Sequence, residues 1–371
     1  MNMAMDNIPK FIPTNHPNVT FEDSKVGRMK KAIWDASDAE VDAMLAEFGV
    51  PSKPAWGEPG MYIQTTVRTQ VVENRKKNDV VLIPVGCSEL HGPHTCSGMD
   101  TFFVTSICEG VRRYTLKQGR PVNIALPPLN YGCHPLHHIG MAGTVVVHEP
   151  TAIALLKDVM LGLWNDGFRK QIIVNNHGQL WVLESAMQQF CKEYMLPGIF
   201  RVIDWHRAVR EFFMPKECGG EYDTPFTHAD EAETSVGLLL FPEMVDMQYA
   251  VDTNPVELLP GGHMDSSVDL WRRPSRWSEA EGHIANELYG TPVGIVGHAT
   301  KGTAQKAKKP VLAIMKYLVM LIDEYLEAYP PGTVPEAEKM VLRTSEEMAP
   351  YLKEPMSEGW KSVYGLPKLN Y

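Results

Sequence analysis

From Asp79 onward, the pattern of apolar and polar positions predicts strands that alternate with helices. The run DVVLIPVG, from Asp79 to Gly86, is apolar throughout and ends in glycine, which is typical of a buried strand. Further short strands are predicted at Asn123–Leu126, Lys170–Asn175, Phe200–Ile203 and Val293–Val296. Apolar residues at helical spacing predict helices at Thr101–Arg113, Pro150–Phe168, Trp181–Tyr194, Glu231–Leu240 and Pro310–Tyr329.

This alternation implies right-handed crossovers and a mostly parallel central sheet with helices on both faces, a three-layer αβα fold in the α/β class. Ligand sites in such sheets lie beyond the carboxyl ends of the strands. Chemically active residues should therefore follow strands directly. Glu89 follows the first strand, and His177 follows the strand Lys170–Asn175.

Residues 1–75 are predicted to be a helical extension and linker that precedes a main domain at 76–371. Helical spacing over Lys30–Phe48 predicts a helix, and the Pro- and Gly-bearing stretch Pro51–Gly60 predicts a loop. We expect this extension to pack on the main body or on another subunit.

Composition and net charge argue against some classes of function. Hydrophobic residues make up 44% of the 371 positions, which is enough for a large core, and the net charge is −10. An acidic surface argues against nucleic-acid or anionic-membrane partners. The six cysteines include no C-x-x-C pair, and the N-terminus does not resemble a signal peptide, so we expect a cytoplasmic protein with reduced thiols.

The loop after the first strand carries a concentration of metal-ligand side chains. Glu89 and His91 are two positions apart, so an extended backbone directs both to one side, and Asp100 can return to the same point. Carboxylates together with imidazoles suit zinc or manganese. A bridging Asp100 would hold two ions roughly 3.5–4 Å apart. The alternative is a polar surface loop with ordinary histidines.

Three later segments add candidates. His177 ends a strand, although a hydrogen-bonded structural histidine would look the same. His228 and Glu233 lie at the start of a predicted helix, where acidic residues also serve as caps, so Glu233 could bind metal and His228 could transfer a proton. The loop after Gly132 holds His134, His137 and His138, which could contact substrate, move protons or be structural.

Together these segments resemble the creatininase family of metal-dependent hydrolases. Gly86–His94 (GCSELHGPH) with Asp100 matches the family's first motif in spacing, and Asn175–Gly178 matches its Asn-Gly-His-Gly motif. His228–Ser235 matches its His-Ala-Gly-x-x-Glu-Thr-Ser motif with Asp230 in the Gly position, and Thr303–Ala307 resembles a late family turn. The resemblance covers roughly Asp79 to Ala328.

The resemblance implies a two-metal site holding zinc or manganese, with iron as a further option. Glu89 and His177 would bind one ion, His91 and Glu233 the other, and Asp100 would bridge them. It also implies a compact αβα fold and a homo-oligomer, often a hexamer.

The sequence departs from the family around the expected substrate pocket. In creatininase proper a metal-binding glutamate stands where Gln179 is, which puts creatinine itself in doubt. The loop from Tyr131 has one extra residue, so His137 and His138 both remain candidates for the family's histidine position. The predicted substrate-binding residues are His134, His137, His138, Gln179 and Trp181; Trp205 is a further candidate for shaping the pocket.

The expected function is a metal-dependent hydrolase that opens a small cyclic carbonyl compound, such as a cyclic amide, with metal-activated water. His228 and Glu233 are its predicted catalytic residues. One alternative keeps the metals but cleaves a carbon–carbon bond of a cyclic keto-inositol of the 3-dehydro-scyllo-inosose type. A second alternative is a non-catalytic scaffold that retains the fold.

Overall fold

The computed structural model describes residues 10–369 apart from 17, 52–53, 135–137, 225, 254–255, 258–287 and 290–292. Its strands are β1 (Phe11–Pro13), β2 (Thr20–Glu22), β3 (Val80–Val85), β4 (Asn123–Ile124), β5 (Lys170–Asn175), β6 (Ile199–Asp204), β7 (Val256–Glu257) and β8 (Leu288–Tyr289). Its α-helices are α1 (Lys25–Asp35), α2 (Asp38–Glu47), α3 (Arg68–Lys77), α4 (Met99–Lys117), α5 (Glu149–Asn165), α6 (Leu180–Tyr194), α7 (Trp205–Ala208), α8 (Glu231–Leu240), α9 (Ala304–Ala328) and α10 (Ser345–Leu352).

Four strands form a parallel central sheet in the order β4-β3-β5-β6. The register aligns Val85 of β3 with Asn175 of β5, and Asn175 with Asp204 of β6. The carboxyl ends of these three strands therefore lie at one edge. The connections after them carry the residues singled out by the sequence.

Alternate residues of the strands pack into two separate cores. Val80 and Leu82 of β3 join one hydrophobic cluster with α4, α8 and α9, whereas Val81 and Ile83 join the other with α5 and α6. Because successive side chains of a strand point to opposite faces, the continuous apolar run of β3 supplies both layers. The prediction of a three-layer αβα fold is confirmed.

The segment before the sheet shares the first of these cores. Ile33 of α1 and Val41 of α2 are buried in it, and the ring of Phe48 stacks on Tyr114 of α4 at a centroid distance of 4.5 Å. The described part of the extension thus packs on the main body. The predicted boundary between 75 and 76 stays a prediction.

Several local predictions were wrong in detail. The helix expected over Lys30–Phe48 is interrupted before α2, because Ser37 and Glu40 form a capping box that starts a new helix. The helix expected over Pro150–Phe168 begins at Glu149, after His148, and ends at Asn165.

The strand expected at Val293–Val296 is reduced to one antiparallel bridge between Val296 and His228. The glycines on either side of that residue explain the loss. Gly294 has φ 66° and Gly297 has φ 129°, both outside the extended region that a strand requires. The long helix α9 begins at Ala304, earlier than the predicted Pro310. Within the described residues, no helix combines the length and apolarity required to cross a bilayer.

Candidate metal centre

The candidate metal centre is the group of side chains around Glu89, Asp100 and His177. Asp100 reaches this centre because the first turn of α4 packs directly against the end of β3. A Cβ placed on Gly86 would lie 2.7 Å from the carbonyl carbon of Asp100, a distance that real Cβ atoms do not adopt. Glycine at 86 therefore permits a close approach that a side chain would block. This approach brings Asp100 beside Glu89, which lies in the loop after β3.

The N-terminus of α8 supplies Glu233. The Asp230 side chain caps this helix by accepting hydrogen bonds from the backbone N–H groups of Ala232 and Glu233 at 2.9 and 3.1 Å. Ala229 adopts φ 48°, a left-handed conformation that is costly for a non-glycine residue, and its N–H donates to Glu233 Oε2 at 2.6 Å. Capping thus accounts for Asp230 and leaves Glu233 to face the centre.

The two carboxylate oxygens of Asp100 face different histidines. Oδ2 lies 3.3 Å from His177 Nδ1, and Oδ1 lies 3.5 Å from His91 Nε2. His177 Nδ1 is also 3.0 Å from Glu89 Oε2, while His91 Nε2 is 3.5 Å from Glu233 Oε2. The structure therefore brings all five predicted metal ligands together, with Asp100 between a Glu89–His177 end and a His91–Glu233 end.

Four histidines of the centre share one arrangement, in which one ring nitrogen contacts a backbone carbonyl and the other faces a carboxylate. The carbonyl contacts are His91 Nδ1 to Glu89 O at 3.1 Å, His134 Nε2 to Val145 O at 3.2 Å, His177 Nε2 to Cys133 O at 2.8 Å and His228 Nε2 to Leu90 O at 2.8 Å. Because a carbonyl can only accept, each of these nitrogens carries the N–H. In the neutral ring, the remaining lone pair then points at carboxylate oxygens, as in histidines that bind metals.

The carboxylates of the centre favour positive charge on two of its histidines. Burial alone would lower the pKa of His177, but Glu89 and Asp100 outweigh it and raise that pKa to about 10. Burial is likewise outweighed at His91, whose pKa is raised well above its ordinary value by Asp100 and Glu233. Where no cation is bound, a proton on these imidazoles takes its place.

The pKa values of two other groups of the centre are governed mainly by burial. Burial raises the pKa of Glu233 to about 8, with His91 opposing and Asp100 reinforcing that change. Burial also holds the pKa of His228 well below its ordinary value despite the nearby Glu89. His228 is therefore a neutral base at physiological pH.

The donor set fits divalent cations. Within the described ranges, the buried atoms of the centre that have no hydrogen-bond partner include His91 Nε2 and His134 Nδ1. Three buried carboxylates facing imidazole lone pairs would cost much free energy without compensating positive charge. In the part of the chain that the structure describes, four overlapping groups of side chains could hold an ion. Together they comprise Cys87, Glu89, His91, Asp100, His134, His138, His177, His228 and Glu233.

The predicted substrate-binding residues have different surroundings. His134 and His138 approach Glu89 Oε1 through their Nδ1 atoms, so both lie at the centre. The Gln179 amide instead contacts backbone, accepting from Cys133 N at 3.0 Å and donating to Gly86 O at 3.1 Å. Trp181 donates to Glu149 Oε1 at 3.1 Å on a partly exposed part of α6. His137 lies outside the described residues.

Sequence reasoning missed two side chains that touch the centre. Cys87 is buried, with Sγ 2.8 Å from Asp100 Oδ2. Asn176 donates from Nδ2 to Asp100 Oδ1 at 2.5 Å, and the indole N–H of Trp205 donates to Asn176 Oδ1. Trp205 is thus a fully buried support for Asn176. Cys87 and Asn176 each lie within a recognised motif at a strand end, which is the signal that could have identified them.

Comparison with known proteins identifies the family. The family model for creatinine amidohydrolase, named Creatininase, matches residues 65–322, which is more than half of the chain. The chain belongs to the creatininase family. It is a hydrolase, as its family and its hydrolase-named relatives show.

One relative of this creatininase-family chain is the 3-dehydro-scyllo-inosose hydrolase of Thermotoga maritima (strain ATCC 43589 / DSM 3109 / JCM 10099 / NBRC 100826 / MSB8). The two are 44% identical over 305 residues, covering 82% of this chain and 96% of the relative. Among solved structures, "Creatininase Mn" has a TM-score of 0.53 at 20% identity, covering 73% of this chain and 99% of that one. A substituted creatininase of the "Zn-Zn type" also has a TM-score of 0.53 at 20% identity, with coverages of 74% and 100%.

Proposed function

We propose that this protein hydrolyses a cyclic diketo-inositol of the 3-dehydro-scyllo-inosose type, using two divalent cations. The observation that carries the proposal is the 44% identity to the Thermotoga hydrolase over almost the whole length of that relative. A cyclic amide, which the family's name suggests, is the second candidate. The amide contacts of Gln179 weigh against creatinine, since its side chain is held by backbone where creatininase proper has a metal-binding glutamate.

The substrate class determines which bond breaks. An inosose is a carbocycle, so water can open its ring only by cleaving a carbon–carbon bond. The departing carbon must hold an electron pair, and a second ketone one carbon further along stabilises that pair as an enolate. A ring with two ketones separated by one carbon therefore meets the requirement, and its hydrolysis product is an open-chain keto acid.

We assign one ion to Glu89 and His177 and the other to His91 and Glu233, with Asp100 shared by both. When bound, such a pair would lower the pKa of a nearby water and polarise the ketone. Zinc or manganese is proposed because solved creatininases with these metals share the fold.

His228 is proposed to move the proton. Its Nε2–H is fixed by Leu90 O, and its Nδ1 lies 3.8 Å from both Glu89 Oε2 and Glu233 Oε2. Nδ1 takes one proton from the attacking water, whose oxygen bonds to the ketone carbon. When the ring bond breaks, the same proton returns to the enolate carbon, so one water is consumed and no oxidant is needed. Glu233, whose Oε2 accepts from Ala229 N–H, would hold one of the cations.

Rates measured with matched substrates on zinc- or manganese-loaded protein test this proposal. We expect turnover of 3-dehydro-scyllo-inosose, with a product heavier by one water, and little turnover of creatinine. An inosose with a single ketone is the matched control and should not react, because it lacks the second carbonyl. Faster hydrolysis of creatinine would favour the cyclic amide, and no turnover of any of them by metal-loaded protein would contradict the proposal. The homo-oligomer and the cytoplasmic location expected from the sequence stay predictions.

A further inference from the structure

Four side chains converge at the Glu89–His177 end of the centre. One donor atom each of Cys87, Glu89, His134 and His177 lies within 4.8 Å of the others, and all four residues are buried. We propose that Cys87 and His134 are additional metal ligands there and make this end selective for zinc. The inference rests on the metal centre of the proposed function and specifies the chemistry of one of its two ends.

Cys87 lies where a ligand of this end would lie. Its Sγ is 2.8 Å from Asp100 Oδ2 and 3.8 Å from Glu89 Oε2, and the residue has no exposed surface. Both neighbouring oxygens belong to the proposed ligand set, so a cation that they bind also lies close to the sulfur. The S–H of Cys87 donates to these oxygens, and zinc binding would release that proton. Cys108, by contrast, packs in the first hydrophobic core.

His134 supplies an independent observation. Its Nε2–H donates to Val145 O at 3.2 Å, so Nδ1 of the neutral ring carries a lone pair. That Nδ1 is buried, has no hydrogen-bond partner among the described residues, and lies 3.6 Å from Glu89 Oε1. Two acceptors that face one another repel unless a cation or a proton lies between them. The centroids of the His134 and His177 rings lie 4.6 Å apart, and one ring nitrogen of each is within 4.8 Å of the other.

The nature of these donors determines the metal. Thiolate and imidazole ligands favour zinc, whereas manganese prefers oxygen donors. The opposite end, with His91, Asp100 and Glu233, provides two carboxylates and one imidazole. We therefore expect one tightly held zinc ion at the Cys87 end and a second ion, zinc or manganese, that exchanges more readily.

X-ray absorption at the zinc edge of the wild-type protein tests the Cys87 ligand without any substitution. We expect a sulfur neighbour at about 2.3 Å from zinc in addition to nitrogen and oxygen neighbours at about 2.0–2.2 Å. The signal should disappear in Cys87→Ser and persist in Cys108→Ser, a matched control at another buried thiol. Zinc bound only through nitrogen and oxygen would overturn this inference and leave the proposed function intact. Failure to bind any divalent metal would overturn both.

Competition with a chelator tests His134 and the selectivity. His134→Ala should lower the zinc affinity of the tighter site by at least about tenfold and change manganese affinity less. His94→Ala is the matched control, because His94 is buried in the neighbouring loop with Nε2 2.9 Å from Thr234 Oγ1. Equal zinc affinity in wild type and His134→Ala would overturn the role of His134. Even a site of oxygen donors binds zinc more tightly than manganese, so the zinc-to-manganese affinity ratio of the tight site is compared between proteins. A ratio that did not fall in either Cys87→Ser or His134→Ala would overturn the selectivity.

Discussion

The side-chain amide of Asn176 donates a 2.5 Å hydrogen bond to Oδ1 of Asp100, the oxygen that faces His91. Asn176 is itself fixed by the indole N–H of Trp205, at the start of α7. The loop after β5 and the start of α7 therefore orient a carboxylate that belongs to α4. A shared ligand held in this way keeps its two oxygens directed at the two ends of the centre.

Replacing Asn176 with alanine should weaken metal binding although the residue is not a proposed ligand. Loss of an outer hydrogen-bond partner costs about 10–100-fold in metal affinity or activity. Chelator competition and turnover measured on the same samples check this effect. Asn123→Ala is the matched control, because Asn123 is a buried asparagine of β4 whose Nδ2 donates to Asn78 O at 2.7 Å. Unchanged metal affinity in Asn176→Ala would show that Asp100 needs no such support.

Asp100→Ala and His91→Ala should each lower turnover by more than Asn176→Ala does. Each change deletes an atom that faces a cation site, so we expect turnover to fall by more than about 100-fold, beyond the outer-partner range. Metal analysis should show less bound metal per chain, while circular dichroism shows a folded protein. Asp246→Asn is a control, because its carboxylate accepts from Gln248 N at 3.2 Å in a nearby turn. Full activity of either variant would contradict the proposal that these residues form a metal centre required for turnover.

One physical reason explains why the sequence predicted both the strands of the central sheet and the meeting of predicted metal ligands at its edge. A continuous apolar run such as β3 must be buried on both faces, and residues that directly follow parallel strands share one edge of the sheet. Glu89 and His177 could be placed together by that rule alone. The fold and the membership of a hydrolase family followed from the same segments.

The contacts that orient the histidines could not be predicted in this way. His177 donates to Cys133 O and His228 donates to Leu90 O, and both carbonyls belong to loops without a repeating pattern. The expected strand ending at Val296 failed for a related reason, since two glycines with positive φ set its conformation. The substrate class could not be derived from the ligands either, because the same donor set serves different carbonyl compounds.

At the opposite edge of the sheet, a buried ion pair should control stability without affecting activity. Lys170 Nζ, at the start of β5, donates to both carboxylate oxygens of Asp79 at 2.7 Å, and neither side chain has more than 2% exposure. Lys170→Met leaves Asp79 with the backbone N–H of Gly332 at 2.9 Å as its remaining described donor. Breaking a buried pair costs about 3–5 kcal/mol.

Urea unfolding of wild type, Lys170→Met and the double variant with Asp79→Leu measures this cost. The double variant should regain part of the lost stability, because it buries no uncompensated charge. Metal content and turnover should match wild type in all three proteins. A loss of metal in Lys170→Met would contradict the separation of the two sheet edges.

Glu109 should make the attachment of the N-terminal segment dependent on pH. This buried residue of α4 accepts hydrogen bonds from Ala55 N at 2.7 Å and from the hydroxyl of Tyr62. Burial raises the pKa of Glu109 above its ordinary value of 4.5, even though Tyr62, Ala55 and Arg113 oppose that change. A carboxyl group whose pKa is raised on folding stabilises the folded state fully below the unfolded-state value, and this contribution is lost as pH rises through the folded-state pKa.

Glu109→Gln should therefore gain stability relative to wild type as the pH rises, because glutamine keeps the accepting oxygen and carries no charge. The difference in the free energy of unfolding between the two proteins, measured by urea titration at several pH values, isolates Glu109 from the carboxylates of the metal centre. Glu58→Gln is the control at a neighbouring exposed glutamate and should show a smaller pH-dependent difference. A difference that stayed constant with pH would mean that Glu109 has the same pKa in the folded and unfolded chains. A wild type that gained on the variant as pH rose would mean that Arg113, 3.6 Å away, outweighs the effect of burial.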